Sequence, residues 1–148
     1  MSVSLTPAEM GIPNYEGTYL DFLGFRVVKF EPGFVRMQMP LERIHTNTLN
    51  MAHGGILMSM LDISSAFASH AGLPEPMVSL TMTQSTSFMR SVTGSELFAE
   101  GRVIRRTRNL TFTESKILDP TLSDNEAEQI CATAQCTFKL RPRDVASS

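Results

Sequence analysis

The chain has 148 residues, with 13 basic and 15 acidic side chains, a net charge of −2 and a hydrophobic fraction of 42%. That length fits one domain with its own core, and the balanced charge gives no bulk attraction to nucleic acid. The sequence shows neither a charged start followed by an apolar stretch nor an uncharged apolar run of about eighteen residues. We therefore predict one cytoplasmic domain over residues 1–148, with no membrane or nucleic-acid partner, a lead-in at 1–19 and a flexible tail at 141–148.

The first half of the chain predicts a short helix, a β-hairpin and one long helix. The run TYLDFLGF is typical of a short helix that ends at Gly24. FRVVKF and FVRMQMP flank the turn sequence Glu31-Pro32-Gly33, which predicts a hairpin. A loop leads to His53-Gly54-Gly55, and Ile56 to about Ala71 then predicts a helix that is apolar on almost every side.

From Val78 onward the hydrophobic period changes to two, which is typical of strands. The segment VSLTMTQSTSFM predicts a strand with one face lined by hydroxyls, namely Ser79, Thr81, Thr83, Ser85 and Ser87. LFAEGRVIRR, LTFTESKIL and ICATAQCTFKL predict three more strands. The core face of the last is expected to carry Ile130, Ala132, Ala134, Cys136 and Phe138. One helix among so many strands predicts an α+β fold, in which an antiparallel sheet curls around the helix to cover it.

The two cysteines are not expected to form a disulfide. Cys131 and Cys136 lie five residues apart in a predicted strand, which places them on opposite faces. We expect packed thiols in a reducing compartment. No spacing of Cys and His resembles a metal site, so no metal is predicted.

A single carboxylate, Asp62, interrupts the apolar helix nine residues after His53. In a regular helix that offset is a rise of roughly 13 Å and a rotation of about 180°, so the two side chains cannot meet within one chain. If both act in one site, a second copy must complete it, which predicts a two-fold dimer. A plainer alternative is a hydrogen bond from Ser59 or Ser65 to Asp62. No structural role requires a charge here, which favours function.

The glycines after His53 remove side chains where a helix presents its unpaired N–H groups. A developing oxyanion could bind at Gly54 or Gly55. The alternatives are a glycine pair that only allows a tight entry into the helix, and a His53 that is an ordinary capping residue.

The segment HTNTLNMAHGGILMSMLD resembles the signature of hotdog-fold acyl-CoA thioesterases of the phenylacetate-pathway (PaaI-like) type. Asn47, His53, Gly54, Gly55 and Asp62 occupy the matching positions, and the similarity covers roughly residues 20–140, including TMTQSTSFMRSVTG. The resemblance implies the hotdog fold, a curled antiparallel sheet around one long helix. Two positions depart from the pattern: Asn50 replaces a glycine, which a left-handed backbone would tolerate, and Ser91 replaces a proline.

The resemblance also implies roles for individual residues. The Gly54 N–H, with His53 and Asn47 nearby, would hold and polarise the thioester carbonyl. Asp62 of the partner subunit would act as general base or as nucleophile, and Thr81 would orient the attacking water. Coenzyme A would contact Phe88, Arg105, Arg106, Thr107, Arg108, Asn109, Leu110 and Lys139. Three arginines within four residues suit a phosphate clamp, although a solvated hairpin tip explains them equally well.

The function expected from this resemblance is hydrolysis of acyl-CoA thioesters by a homodimer, further assembled as a homotetramer. No cofactor is expected, since the coenzyme A thioester is the substrate. A non-catalytic protein that binds acyl-CoA or acyl carriers is the alternative. A hotdog dehydratase is disfavoured, because it places Asp and His only a few residues apart. The acyl group is left open, with a tunnel wall expected to include Met58, Met60, Phe67 and Met82.

Overall fold

The structure is a computed structural model that describes residues 3–144. Its helices and strands, in chain order, are α1 (Tyr19–Leu23), β1 (Arg26–Glu31), β2 (Phe34–Pro40), α2 (Gly54–His70), β3 (Met77–Phe88), β4 (Glu96–Arg106), β5 (Leu110–Leu118) and β6 (Ile130–Pro142). Short 3₁₀ turns occupy Arg43–His45 and Glu126–Gln129. No described helix is long and apolar enough to cross a bilayer.

The six strands form one antiparallel sheet in the order β1-β2-β4-β5-β6-β3. The sheet curls around α2, which packs against β2, β3, β4, β5 and β6. Between them lies the core, whose largest fully buried side chains include Phe25, Met37, Met60, Leu61 and Phe138. The predicted α+β class and hotdog architecture are confirmed.

The first hairpin forms where its turn sequence predicts it. Glu31 pairs with Phe34 across Pro32 and Gly33, and Gly33 has the positive φ of 71° that a tight turn requires. The lead-in is joined to this hairpin, because Leu5 exchanges two backbone hydrogen bonds with Val27 of β1 (2.9 and 2.8 Å). The lead-in therefore extends the sheet beyond β1.

Helix α2 is buried on all sides but one. The residues that keep some exposure follow helical spacing and form one open stripe: Gly54, Gly55, Met58, Ser59, Asp62, Ala66 and His70. Its other side chains, such as Leu57, Leu61 and Ala68, are buried in the core. The fold thus exposes the one charged side chain of this helix along a narrow opening.

The predicted hydroxyl face of β3 is wrong beyond Thr81. The pairing of β3 with β6 shifts between Thr81 and Thr83, which is the signature of a β-bulge. Before the bulge, the hydroxyls of Ser79 and Thr81 bond to groups of α2; after it, Gln84 does so instead. Strict alternation cannot anticipate the extra residue, and Ser85 and Ser87 consequently line a cavity on the outer face of the sheet.

The C-terminal end is more ordered than predicted. Strand β6 continues to Pro142, and the Arg143 N–H donates to the Pro76 carbonyl (2.9 Å). The flexible tail is therefore wrong for residues 141–143, because these extend the pairing with β3; residues 145–148 lie outside the described part. Cys131 and Cys136 are both free and buried, as predicted.

Gly101 of β4 is where the helix approaches the sheet most closely. A Cβ on this residue would overlap the backbone carbonyl of Ser64 and the backbone nitrogen of Ser65 in α2. Backbone atoms cannot rotate away as a side chain can, so any larger residue must push the helix off the sheet.

We therefore expect Gly101→Ala to lower the free energy of unfolding by about 3 kcal/mol. Urea denaturation measures this. Gly54→Ala is the matched control, because its added methyl meets only two Phe88 ring atoms at an ordinary 3.6 Å. Equal stability of the two variants would contradict the close approach.

Candidate functional site

The N-terminus of α2 presents one unused backbone donor. His53 is the N-cap, and its Nδ1 accepts the Gly55 N–H at 2.9 Å. In the neutral ring this places the proton on Nε2. The Gly54 N–H has no acceptor among residues 3–144, and the Phe88 ring lies over this glycine. His53 is thus a capping residue, and its cap leaves the Gly54 N–H and its own Nε2–H available to a ligand.

The loop before this helix is held by Asn47. Its Oδ1 accepts the N–H groups of Leu49 (2.9 Å) and Met51 (3.2 Å). Asn50 has a φ of 60°, so the left-handed backbone expected at this position is confirmed. Asn47 therefore stabilises the loop through its oxygen, and its proposed contact with a thioester carbonyl would have to use Nδ2.

Asp62 lies in the open stripe of α2, half-buried, with one hydrogen-bond donor. The Thr81 hydroxyl donates to its Oδ1 at 2.7 Å. The alternative partners do not bind it: Ser59 donates to the Gly55 carbonyl (2.7 Å), and within residues 3–144 the buried Ser65 hydroxyl does not donate to Asp62. Burial raises the pKa of Asp62, and the bond from Thr81 offsets only part of that rise. This carboxylate is therefore held closer to protonation than an ordinary aspartate.

Asp119 shows what a structural carboxylate looks like in the same chain. It is fully buried at the end of β5, and burial alone would raise its pKa. The hydroxyl and N–H of Thr121 and the N–H groups of Thr93 and Gly94 donate to it and hold its pKa below the usual value. Asp119 thus ties a loop together, whereas Asp62 keeps unused acceptor capacity.

His53 and Asp62 lie apart within one chain. Helix α2 runs without a break from Gly54 to His70, so Asp62 lies eight positions after Gly54. That is a rise of about 12 Å along the axis. A small reacting group therefore cannot contact the N-terminus of α2 and Asp62 of the same chain at once.

The arginines at the β4–β5 turn do not converge. Arg106 is exposed, and its Nε and Nη2 donate to the Ser69 carbonyl near the C-terminal end of α2 (3.2 and 2.8 Å). Arg105 pairs with Phe112 on the opposite face of the sheet. Arg108 and Lys139 are exposed. In this structure Arg106 stabilises the carbonyl end of the helix, and a phosphate clamp made of all three arginines stays a prediction.

The other predicted residues of this turn shape its backbone. Thr107 Oγ1 accepts the Leu110 N–H (3.1 Å), and the Asn109 carbonyl accepts the Leu140 N–H (2.9 Å). Coenzyme A binding at this turn stays a prediction. Within residues 3–144, no group of three His, Cys, Asp or Glu side chains could hold a metal ion.

Two polar residues near the site escaped the sequence analysis. Tyr19 of α1 shares a hydrogen bond with Ser59 (2.8 Å), which places α1 beside the open stripe. Gln84 bonds the Met58 carbonyl (3.1 Å). Gln84 could have been noticed, because it is a polar residue on an otherwise largely apolar face of β3. The contact of Tyr19 with Ser59 could not, because the two residues are 40 positions apart in the sequence.

Replacing Asp62 or Asp119 by asparagine should have opposite effects on stability. The pKa of Asp62 is raised by folding, so its charge destabilises the folded chain at neutral pH; Asp62→Asn should raise Tm at pH 7.5 by about 1–3 °C. That gain should vanish as the pH falls below about 4, where the aspartate is protonated in both states.

Asp119 is the matched comparison. Its lowered pKa means that the charge stabilises the fold above the ordinary aspartate pKa and that this contribution is lost as the pH falls through the lowered value. Asp119→Asn should lower Tm at pH 7.5 by about 4–8 °C, from the loss of roughly 2 kcal/mol of charged hydrogen bonds. Calorimetric scans at both pH values check the pair, and a loss of Tm in Asp62→Asn at neutral pH would refute the assignment.

Comparison with known proteins agrees with this architecture. A thioesterase family protein from Silicibacter pomeroyi superposes with a TM-score of 0.76 and 23% identity, covering 92% of this chain and 94% of that one. A Streptococcus mutans protein bound to acetyl CoA superposes with a TM-score of 0.68 and 22% identity, covering 80% and 90% of the two chains. At these identities the likeness concerns the fold.

Sequence comparison identifies the family. A protein of Archaeoglobus fulgidus named "Putative esterase" is 27% identical over 85 residues, which are 57% of this chain and 53% of that protein. The match therefore spans only about half of that relative's length. The model of the thioesterase superfamily matches residues 49–123, just over half of the chain, including the His-Gly-Gly segment, Asp62 and Thr81. The chain belongs to the thioesterase superfamily.

Proposed function

We propose that the chain hydrolyses acyl-CoA thioesters in a site shared by two protomers, with Asp62 from one and the Gly54 N–H from the other. The observation that carries the proposal is the Asp62–Thr81 pair. It is a carboxylate of raised pKa, with unused acceptor capacity, in the open stripe of a buried helix. Such a group suits a general base near neutral pH.

Three contacts between α2 and β3 support a shared site. Phe88 lies over Gly54, Gln84 bonds to Met58, and Thr81 bonds to Asp62. The three residues of α2 in these contacts, Gly54, Met58 and Asp62, follow one another at intervals of four positions. A two-fold axis near Met58 and Gln84 would therefore bring Asp62 of one protomer level with Gly54 of the other.

The free edge of β3 supports the same dimer. This strand has 12 residues and pairs with β6 on one side only, at the edge of the sheet. It carries exposed apolar side chains, including Leu80 (40% exposed), Met82 (59%) and Phe88 (54%). A long apolar edge is a liability unless another strand covers it. Antiparallel pairing of β3 with its copy covers it and satisfies the two-fold axis.

The proposed chemistry uses groups that the fold already orients. Thr81 donates to Asp62, so its lone pairs can accept a hydrogen bond from water. Asp62 removes a proton from that water, and the water oxygen attacks the thioester carbonyl carbon. The Gly54 N–H and the His53 Nε2–H of the partner stabilise the oxyanion. The carbon–sulfur bond then breaks, and the proton on Asp62 passes to the departing thiolate, which leaves as the coenzyme A thiol.

Recognition of coenzyme A is the less constrained part of the proposal. Three exposed cations lie near the β4–β5 turn, namely Arg105, Arg108 and Lys139. They suit the phosphate groups of coenzyme A. The acetyl CoA bound to the Streptococcus mutans neighbour supports this substrate class. A tetramer built from two such dimers stays a prediction.

Asp62→Asn and Gly54→Pro should each slow release of free thiol from acyl-CoA at least about 100-fold. Proline is tolerated at the first helical position and removes only the N–H there; His53 already has the extended backbone (φ −65°, ψ 137°) that a following proline prefers. Asp124→Asn removes an exposed carboxylate outside the site and should stay within a few-fold of the parent.

A thiol assay over short, aromatic and medium-chain acyl-CoAs makes the measurement. Near-parental rates in Asp62→Asn would refute the proposed roles. Binding of acyl-CoA without any thiol release by the parent would favour the non-catalytic alternative.

A further inference from the structure

The open stripe of α2 continues beyond Asp62 into a cavity. Ala66 and His70, the next stripe residues, line a cavity of about 620 Å³ at the C-terminal end of the helix. Its walls are mostly apolar and include Met10, Ile12, Leu20, Phe30, Phe67 and Met77. Of the side chains expected to line an acyl tunnel, Phe67 lines this cavity, Met60 is buried in the core, and Met58 and Met82 are exposed on the side of β3.

One side of the cavity is polar. The Ser79 hydroxyl lies 3.1 Å from His70 Nδ1, donates to the Ala66 carbonyl (3.1 Å) and contacts the Ser69 hydroxyl. Ser79, His70 and Arg143 all line the cavity. An apolar chamber with a polar group at one side accepts a ligand in one orientation.

Two arginines place positive charge beside His70 at that side. Burial lowers the pKa of His70, and the charges of Arg143 and Arg106 lower it further, so the ring is neutral at pH 7 with two cations near it. Arg106 is engaged by the Ser69 carbonyl. Glu75 also lines the cavity but is exposed. Arg143 is the cation available to a ligand in the cavity, and an anion is the ligand that this charge favours.

The distance from the reacting centre limits the size of the ligand. His70 lies eight residues beyond Asp62, which is about 12 Å along the helix axis. Subtracting roughly 3 Å at each end for hydrogen-bonded contact leaves about 6 Å, the length of a chain of about six carbons.

We propose that this cavity holds the acyl part of the substrate and selects acyl groups of about six carbons that end in a carboxylate, which Arg143 binds. The proposal rests on the thioesterase function proposed above and names the substrate class of that site. Arg143 is in this account a specificity-determining residue, and His70 and Ser79 shape the polar side of the cavity.

The test compares adipoyl-CoA with hexanoyl-CoA, which have the same chain length and differ by the terminal carboxylate. The parent should prefer adipoyl-CoA in kcat/KM by at least about tenfold, the effect of one charge-assisted contact. Arg143→Gln should bring the ratio to about one, chiefly by raising KM for adipoyl-CoA, and Arg143→Lys should recover part of it. Arg141→Gln is the matched control, because Arg141 is exposed outside the cavity, and it should keep the parental ratio.

The outcomes separate the two proposals. Thiol release from both substrates without preference, or with preference for hexanoyl-CoA, overturns the selection by Arg143 and leaves the thioesterase function intact. A parental preference that persists in Arg143→Gln, with an unchanged Tm, also overturns it. Release from neither substrate, but from aromatic acyl-CoA, overturns the substrate class alone; release from no acyl-CoA overturns both proposals.

Discussion

The close approach of α2 to β4 at Gly101 is the constraint on which the rest of the structure depends. Because no side chain separates the two backbones there, the helix lies deep in the curled sheet and most of its surface is buried. What stays open is one stripe along the helix, and its position follows from the side that the sheet does not reach. The site and the cavity beyond it both lie on that stripe.

The depth of the helix also controls the chemistry of Asp62. A carboxylate on a fully exposed helix would keep an ordinary pKa, and one in the core would need several donors, as Asp119 has. Asp62 lies between these cases, half-buried with a single donor from β3. Its raised pKa therefore comes from the packing of the helix, whereas its orientation comes from the neighbouring strand.

Features set by local sequence could be predicted. The two-residue turn at Pro32-Gly33, the helix that begins after His53 and the left-handed Asn50 each depend on nearby residues and their intrinsic backbone preferences. The offset of nine residues that separates His53 from Asp62 is also a property of helix geometry alone. For that reason the sequence could indicate that the two residues do not meet in one chain.

Features set by distant contacts could not be predicted. The bulge at Met82 depends on how β3 pairs with β6, and it reverses the faces of every later residue in the strand. The contact of Arg106 with the carbonyl end of α2 could not be foreseen either, because Ser69 lies 37 positions earlier in the chain. The order at residues 141–143 comes from pairing with β3, about 65 residues earlier in the chain.

The central claim is that each active site takes Asp62 from one protomer and the Gly54 N–H from the other. Co-expressing Asp62→Asn and Gly54→Pro chains with different affinity tags, and assaying thiol release by the purified mixed dimer, tests it most directly. Each mixed dimer keeps one intact site of two, so the purified mixed dimer should regain about half of the activity of the unsubstituted dimer. Each variant alone should remain inactive. A mixed dimer as inactive as the two variants alone would contradict the shared site. Each site would then lie within one chain, and every chain in the mixed dimer carries a substitution that damages it.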